Sequence, residues 1–428
     1  MSLPNFDFQR LLQKFLWDPE PKNTDPMNSI WCLGQEYPST GLPPSSPPPP
    51  PSTENSMIGD YHNYRETEGS NKGQEAGGDT GWPKAFLDDF ESTLWMTYRS
   101  DFKPIPRVAD YNDRLTLLTS IRSHLDKAEG FTSDSGWGCM IRSGQAVIAN
   151  ALAHLRLGRG REGPLSSYPR IAELTVTAGW RRGMRLEEEK RLLALFADDP
   201  RAPFSIHKFV RHGEVECGKN PGEWFGPSAA AMCIQALTHA YGPAGLRVYQ
   251  TNSNDLYEED FRKIAVVNGV FKPTLVLAGI RLGIERITNI YYEPLAACLR
   301  MPQTVGIAGG RPSSSHYFIA VQGENFFYLD PHTCRPILPF KENPQDYTEE
   351  EIDTCHTRRI RRLHIREMDP SMLIAFLIKD EADWKDWRRR ISEPEKKVIH
   401  VSDSEPSGSW APREAAIDEV EAFGDDDF

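Results

Sequence analysis

No apolar run in this chain approaches the roughly 18 residues that a membrane-spanning helix needs, and no apolar leader opens it. On that reading the chain is expected in the cytoplasm. Cysteine is sparse: seven in 428 residues, an odd number, scattered, without a CxxC pair or zinc-type Cys/His spacing. Such usage predicts reduced thiols, no disulfide framework and no structural metal. Adjacent Cys355 and His356 are too little for a metal site. Positive charge is also short, with 49 Lys and Arg against 61 Asp and Glu, a net charge of −12. A net acidic chain is poorly suited to holding nucleic acid nonspecifically. No internal repeat is visible. What is present, 39% hydrophobic and 10% aromatic residues, suffices for one large domain or two small ones.

The chain divides unevenly. Phe8, Leu11, Leu12, Phe15 and Leu16 recur at helical spacing and predict an amphipathic helix in a 1–37 segment. Residues 38–80 hold Pro43-Pro44, the run Pro47–Pro51, and then polar residues and glycine. This is the composition of a disordered insertion with a polyproline stretch, a form that SH3- or WW-type domains bind. An ordered domain is expected over 81–391 and an acidic disordered tail over 392–428. Helix and strand patterns alternate without a βαβ rhythm, which favours an α+β fold. Leu186 to Phe196 reads as a helix, Ser228 as the N-cap of a helix over Ala229–Tyr241, and Thr274–Ile280 as an apolar strand.

The segment Thr132–Gln145 carries the chemistry. Gly136 and Gly138 allow a tight turn, and from Cys139 onward Ile141, Val147, Ile148, Ala151, Leu152 and Leu155 recur at helical spacing. Cys139 therefore sits in the first turn of a helix, where free N–H groups and the helix dipole favour a thiolate. The competing reading is a buried structural cysteine. Far downstream, Tyr317–Val321 and Phe326–Leu329 read as a hairpin whose second strand runs into Asp330-Pro331-His332. On an extended chain Asp330 and His332 share a face, so a carboxylate can orient an imidazole. A cysteine, a histidine and an aspartate complete a nucleophilic triad.

These blocks resemble autophagin, the autophagy-related cysteine protease family that trims and delipidates a ubiquitin-like modifier. The resemblance also rests on Ser29–Gly34, Leu94–Arg99, Glu223–Ser228, Gly309–Phe318, Tyr328–Thr333 and Met368–Ser371. It implies a papain-like fold, with a helix-borne nucleophile facing a mostly antiparallel sheet, already begun near Ile30. It implies Cys139 as nucleophile, His332 as general base, Asp330 as its orienter and Tyr98 as an oxyanion donor. Trp224 matches a tryptophan covering the active-site groove, and Pro312 a proline on a mobile loop facing it. With Gly138 they form the expected substrate-binding set. The segment Gly309–Ser315 would then be a flap hinged on its glycines.

The reaction implied is cleavage after the modifier's terminal glycine, first from its precursor and later from phosphatidylethanolamine. No cofactor or metal is called for. The modifier is the expected partner, and Asp7–Leu11 has the form of a motif that adds a strand to it. Recruitment to pre-autophagosomal and autophagosomal membranes, with a nuclear pool, is implied as well. Ser143 stands where some relatives carry a second cysteine, and the segment Arg107–Glu129 looks inserted. Two other readings stay open: a deubiquitinase-like protease of another modifier, and a noncatalytic scaffold recruited through Pro47–Pro51.

Overall fold

The computed structural model describes residues 20–39, 80–107, 130–158, 186–311 and 314–405. The amphipathic helix and Asp7–Leu11 motif, the proline-rich segment, most of the expected insertion after Arg107, and Pro312 lie outside them.

The largest sheet among these residues has nine strands. In chain order they are β1 (Ile30–Cys32), β2 (Gln35–Tyr37), β3 (Arg247–Thr251), β4 (Thr274–Arg281), β5 (Thr304–Arg311), β6 (Ser314–Gln322), β7 (Asn325–Leu329), β8 (Arg362–His364) and β9 (Ser371–Ile378). Across the sheet the order is β8-β7-β6-β5-β9-β4-β3. Every pairing is antiparallel except β3 with β4. The early strand β1 joins the same sheet through β6, Cys32 opposite Ala320, so the segment before the proline-rich stretch is part of the fold.

Both faces of the sheet are covered, which explains why Thr274–Ile280 reads as an unbroken apolar run. Leu275 and Leu277 belong to one core, while Val276, Ala278 and Ile280 point into another. On the first face lie α1 (Lys84–Ser92), α2 (Cys139–Arg156), α3 (Ile206–Glu216) and α4 (Pro227–Ala240). On the second, Trp384 and Trp387 of α5 (Glu381–Ser392) pack against Phe261 and Phe376. The architecture is thus α+β, as expected.

Helix α2 is buried on all sides over Cys139–Leu152 rather than along one stripe, because β5 and β6 cover one side and α3 and α4 the others. Gly144 faces α4, where even an added Cβ would only touch the Ala230 methyl at an ordinary 3.6 Å. Two boundaries differ from expectation. The helix expected from Ala229 begins at Pro227 with Gly226 as N-cap, so Ser228 is inside its first turn and caps nothing. Order also continues past residue 391: Val398 and Ile399 are buried, and His400–Ser402 pairs with Asp255–Tyr257.

Candidate active site

Cys139 is the first residue of α2, and Gly138 is its N-cap. The turn before it depends on Asp134, which is fully buried. Its carbonyl accepts N–H bonds from Trp137 and Gly138 (3.2 and 2.9 Å). Its carboxylate accepts the Arg99 N–H (2.7 Å) and the Arg142 Nε (2.8 Å). Arg142, buried in α2, also binds Asp198 at 2.8 Å, and Asp198 accepts the Leu338 N–H. Two carboxylates on one guanidinium thus fix the loop that presents the thiol.

The two glycines of this turn serve different ends. Gly136 has φ of 91°, a conformation glycine adopts freely. Gly138 has an ordinary φ of −87°, but a Cβ there would lie 2.3 Å from the Asp134 carboxylate. Its N–H is engaged by Asp134, so the expected substrate role of Gly138 has no free donor behind it.

Asp330 and His332 stand just past the end of β7. They do not meet as alternate residues of an extended strand. The chain turns there, and Asp330 Oδ1 accepts both the His332 N–H (3.0 Å) and its Nδ1–H (2.6 Å). The Leu94–Arg99 segment is sewn onto this turn. Trp95 donates its indole N–H to the Asp330 carbonyl, Tyr98 its N–H to Pro331, and Arg335 its N–H to Tyr98. Tyr98 is thereby set edge-on to His332, ring centres 5.4 Å apart. Its phenol lies close enough to the Cys139 sulfur to feel its charge.

The far side of the sulfur is covered by Trp224, half-buried in the loop between α3 and α4, whose Nε1–H donates to Cys139 Sγ at 3.0 Å. Cys139, His332, Asp330, Tyr98 and Trp224 therefore converge on one point. The strands flanking the expected flap form a tight hairpin, with Gly309 opposite His316 and Gly310 opposite Ser315. At Gly310 a Cβ would lie 1.9 Å from the Ser314 carbonyl oxygen, so close packing requires glycine there.

The electrostatics favour an ion pair. Burial opposes ionisation of Cys139, yet its hydrogen bonds with His332, the Ser315 backbone and Trp224 outweigh that and lower its pKa. Burial likewise opposes the His332 imidazolium, but Asp330 and Cys139 raise it to about 9. Burial and the Cys139 sulfur push the Tyr98 phenol up, so it stays a donor. Asp330 stays ionised, with His332 holding its pKa down against the effect of burial. A thiolate beside an imidazolium, with an N–H and a phenol close by, suits attack on a carbonyl and stabilisation of the oxyanion.

Three features escaped the sequence reading. His316, whose pKa burial lowers to about 4, sits 5.3 Å from the His332 ring and 4.3 Å from that of Tyr328. Ser314 Oγ lies 3.2 Å from His332 Nε2, and Ser315 donates to Ser143 at 3.0 Å. Two groups have metal-ligand chemistry: His316 with Asp330 and His332, and His212 with Cys217 and Cys233. The second had no visible motif, because its members are spread over two helices. None of the seven cysteines is in a disulfide, and among the described residues no helix is long and apolar enough to cross a membrane.

Comparison with known proteins agrees with this geometry. The model of the peptidase C54 catalytic domain matches residues 83–390. The chain is 53% identical to a "Probable cysteine protease atg4" of Sclerotinia sclerotiorum, over 98% of this chain and 97% of that protein. It is 50% identical to the "Cysteine protease atg4" of Emericella nidulans, over 97% and 96% respectively. A "Cysteine protease ATG4" of Pyricularia oryzae is 53% identical over 82% of this chain and 70% of its own length.

Proposed function

The chain belongs to the peptidase C54 family and is a papain-like cysteine protease of autophagy, and from that premise we propose that Cys139, His332 and Asp330 cleave the amide bond after the terminal glycine of a ubiquitin-like modifier. The observation that carries the reading is the convergence of the sulfur of Cys139, the Asp330-bound imidazole of His332 and the indole of Trp224. The noncatalytic scaffold reading is set aside by the family.

In this reading the Cys139 thiolate attacks the glycyl carbonyl. The developing oxyanion is held by the Cys139 backbone N–H at the helix start and by the Tyr98 phenol. The His332 imidazolium gives its proton to the leaving amine, and the thioester forms as the C–N bond breaks. The imidazole then takes a proton from water, which attacks the thioester and releases the glycine carboxylate and the thiol. Asp330 keeps Nδ1 protonated and the ring aimed throughout. The same steps serve a peptide leaving group and the amine of phosphatidylethanolamine, so one site performs both precursor processing and delipidation.

Glycine selection follows from crowding. Trp224 lies directly on the sulfur, so a substrate must displace or slide beneath it, which favours a residue without a Cβ. By the resemblance, Pro312 is the second residue proposed to close on the glycine slot. The enzyme works in the cytoplasm and meets autophagic membranes through its conjugated substrate. The test is incubation with a panel of ubiquitin-like proteins carrying C-terminal extensions, and with the lipid-conjugated modifier on vesicles. Cleavage after glycine in the autophagy modifier alone is expected. Equal cleavage of ubiquitin or other modifiers would return the deubiquitinase-like reading.

A further inference from the structure

His212, Cys217 and Cys233 lie outside the catalytic array, and their ligand atoms all fall within 4.8 Å of one another. His212 is in the last turns of α3, Cys217 is that helix's C-cap, and Cys233 is in the second turn of α4. His212 and Cys217 are part-exposed and Cys233 is buried, so the group can be reached from solvent while one donor is fixed in the core. Between Cys217 and α4 runs the loop bearing Trp224. Phe225 of that loop sits where a Cβ on Gly213 would be, 2.2 Å away. The three side chains therefore close the base of the loop whose tip covers Cys139.

The geometry points to a binding site for a borderline-soft divalent cation, zinc above all, formed by His212, Cys217 and Cys233 and tying together both ends of the Trp224 loop. One nitrogen and two sulfurs are a zinc donor set. A tetrahedral centre with bonds of 2.0–2.3 Å holds its ligand atoms roughly 3.5–3.8 Å apart, within reach by small side-chain rotations. The fourth position faces solvent and takes water. Neither cysteine is in a disulfide, so both sulfurs are available to a cation. On zinc binding two S–H bonds are replaced by two S–Zn bonds, and both protons go to solvent. Bound metal then holds α3 against α4 and steadies Trp224 on the sulfur.

The test uses the full chain carrying Cys139→Ser, so that the catalytic thiol cannot bind metal, titrated with cobalt as a spectroscopic stand-in for zinc. One equivalent of tightly bound cobalt with a thiolate-to-metal charge-transfer band is expected. His212→Gln and Cys217→Ser, both at part-exposed positions, should abolish the band. They should weaken zinc binding by more than the roughly 10–100-fold that losing even an outer-shell partner costs. Cys334→Ser, at an exposed thiol elsewhere, should change nothing. Cobalt bound without a charge-transfer band, or binding unaltered by His212→Gln and Cys217→Ser, overturns the assignment. So does a Cys217–Cys233 disulfide in freshly purified protein.

Discussion

Trp224 donates its indole N–H to the sulfur of Cys139 across 3.0 Å, from a loop 85 positions further along the chain. The contact makes Trp224 part of what stabilises the thiolate, as well as the wall that a substrate must pass. Trp224→Phe keeps the ring and deletes the donor. Cys139 should then ionise at higher pH, seen as slower iodoacetamide alkylation near pH 6. An unchanged alkylation profile would limit Trp224 to a steric part.

Trp224→Ala removes the wall. Gly preference before the cut should blur on substrates with Gly or Ala there. Turnover should fall, since even a 1 Å misplacement of the carbonyl can cost about 10²-fold. Trp224 is only half-buried, so stability should fall by less than the roughly 3–5 kcal/mol typical of a core Trp→Ala. A large melting loss with intact Gly preference would make it a core residue.

Cys139→Ser should keep the fold and lose cleavage by about 10³-fold or more, because a hydroxyl stays protonated where the thiol ionises. His332→Ala should be as severe. Cleavage within tenfold of the parent would remove either from its role. Tyr98→Phe should cost about 10²–10³ in turnover with little change in substrate binding, the usual worth of one oxyanion donor.

The pH profile should be bell-shaped. The active form needs thiolate and imidazolium together. It is lost at low pH as Cys139 is protonated, below the usual thiol range. It is lost at high pH as His332 gives up its proton, near pH 9. Asp330→Asn removes the main partner raising His332, so the alkaline limb should move to lower pH. A limb that stays in place would show that another group sets it.

Arg142→Met should unfold the active-site turn rather than merely slow catalysis. It leaves Asp134 and Asp198 buried without their shared cation, a loss that typically costs about 3–5 kcal/mol. Thermal melting should fall steeply, and rescue of melting by low pH would identify the stranded carboxylates as the cause. A melting curve like the parent's would show that the network is dispensable.

What could be read from the sequence was local. The helix start at Cys139 follows from glycines and apolar spacing within a few turns. The Asp330–His332 pair follows from two residues two positions apart, although the turn that joins them was read as extended strand. The unbroken apolar run at Thr274–Ile280 announced a strand, and a mixed pattern without βαβ rhythm announced an α+β fold. Tertiary structure decided whatever depends on approach between distant segments. It placed the Trp224 indole on the sulfur and hung Tyr98 from the Asp330-Pro331-His332 turn. It buried Arg142 between two carboxylates, and it gathered His212, Cys217 and Cys233 from two helices. It also gave Gly138 and Gly310 their reasons, since each is glycine because a neighbour occupies the space of its Cβ. Backbone conformation is dictated by nearest neighbours and leaves a periodic trace in the chain. Contact and charge are dictated by whatever packing brings near, and a lone residue carries no record of that.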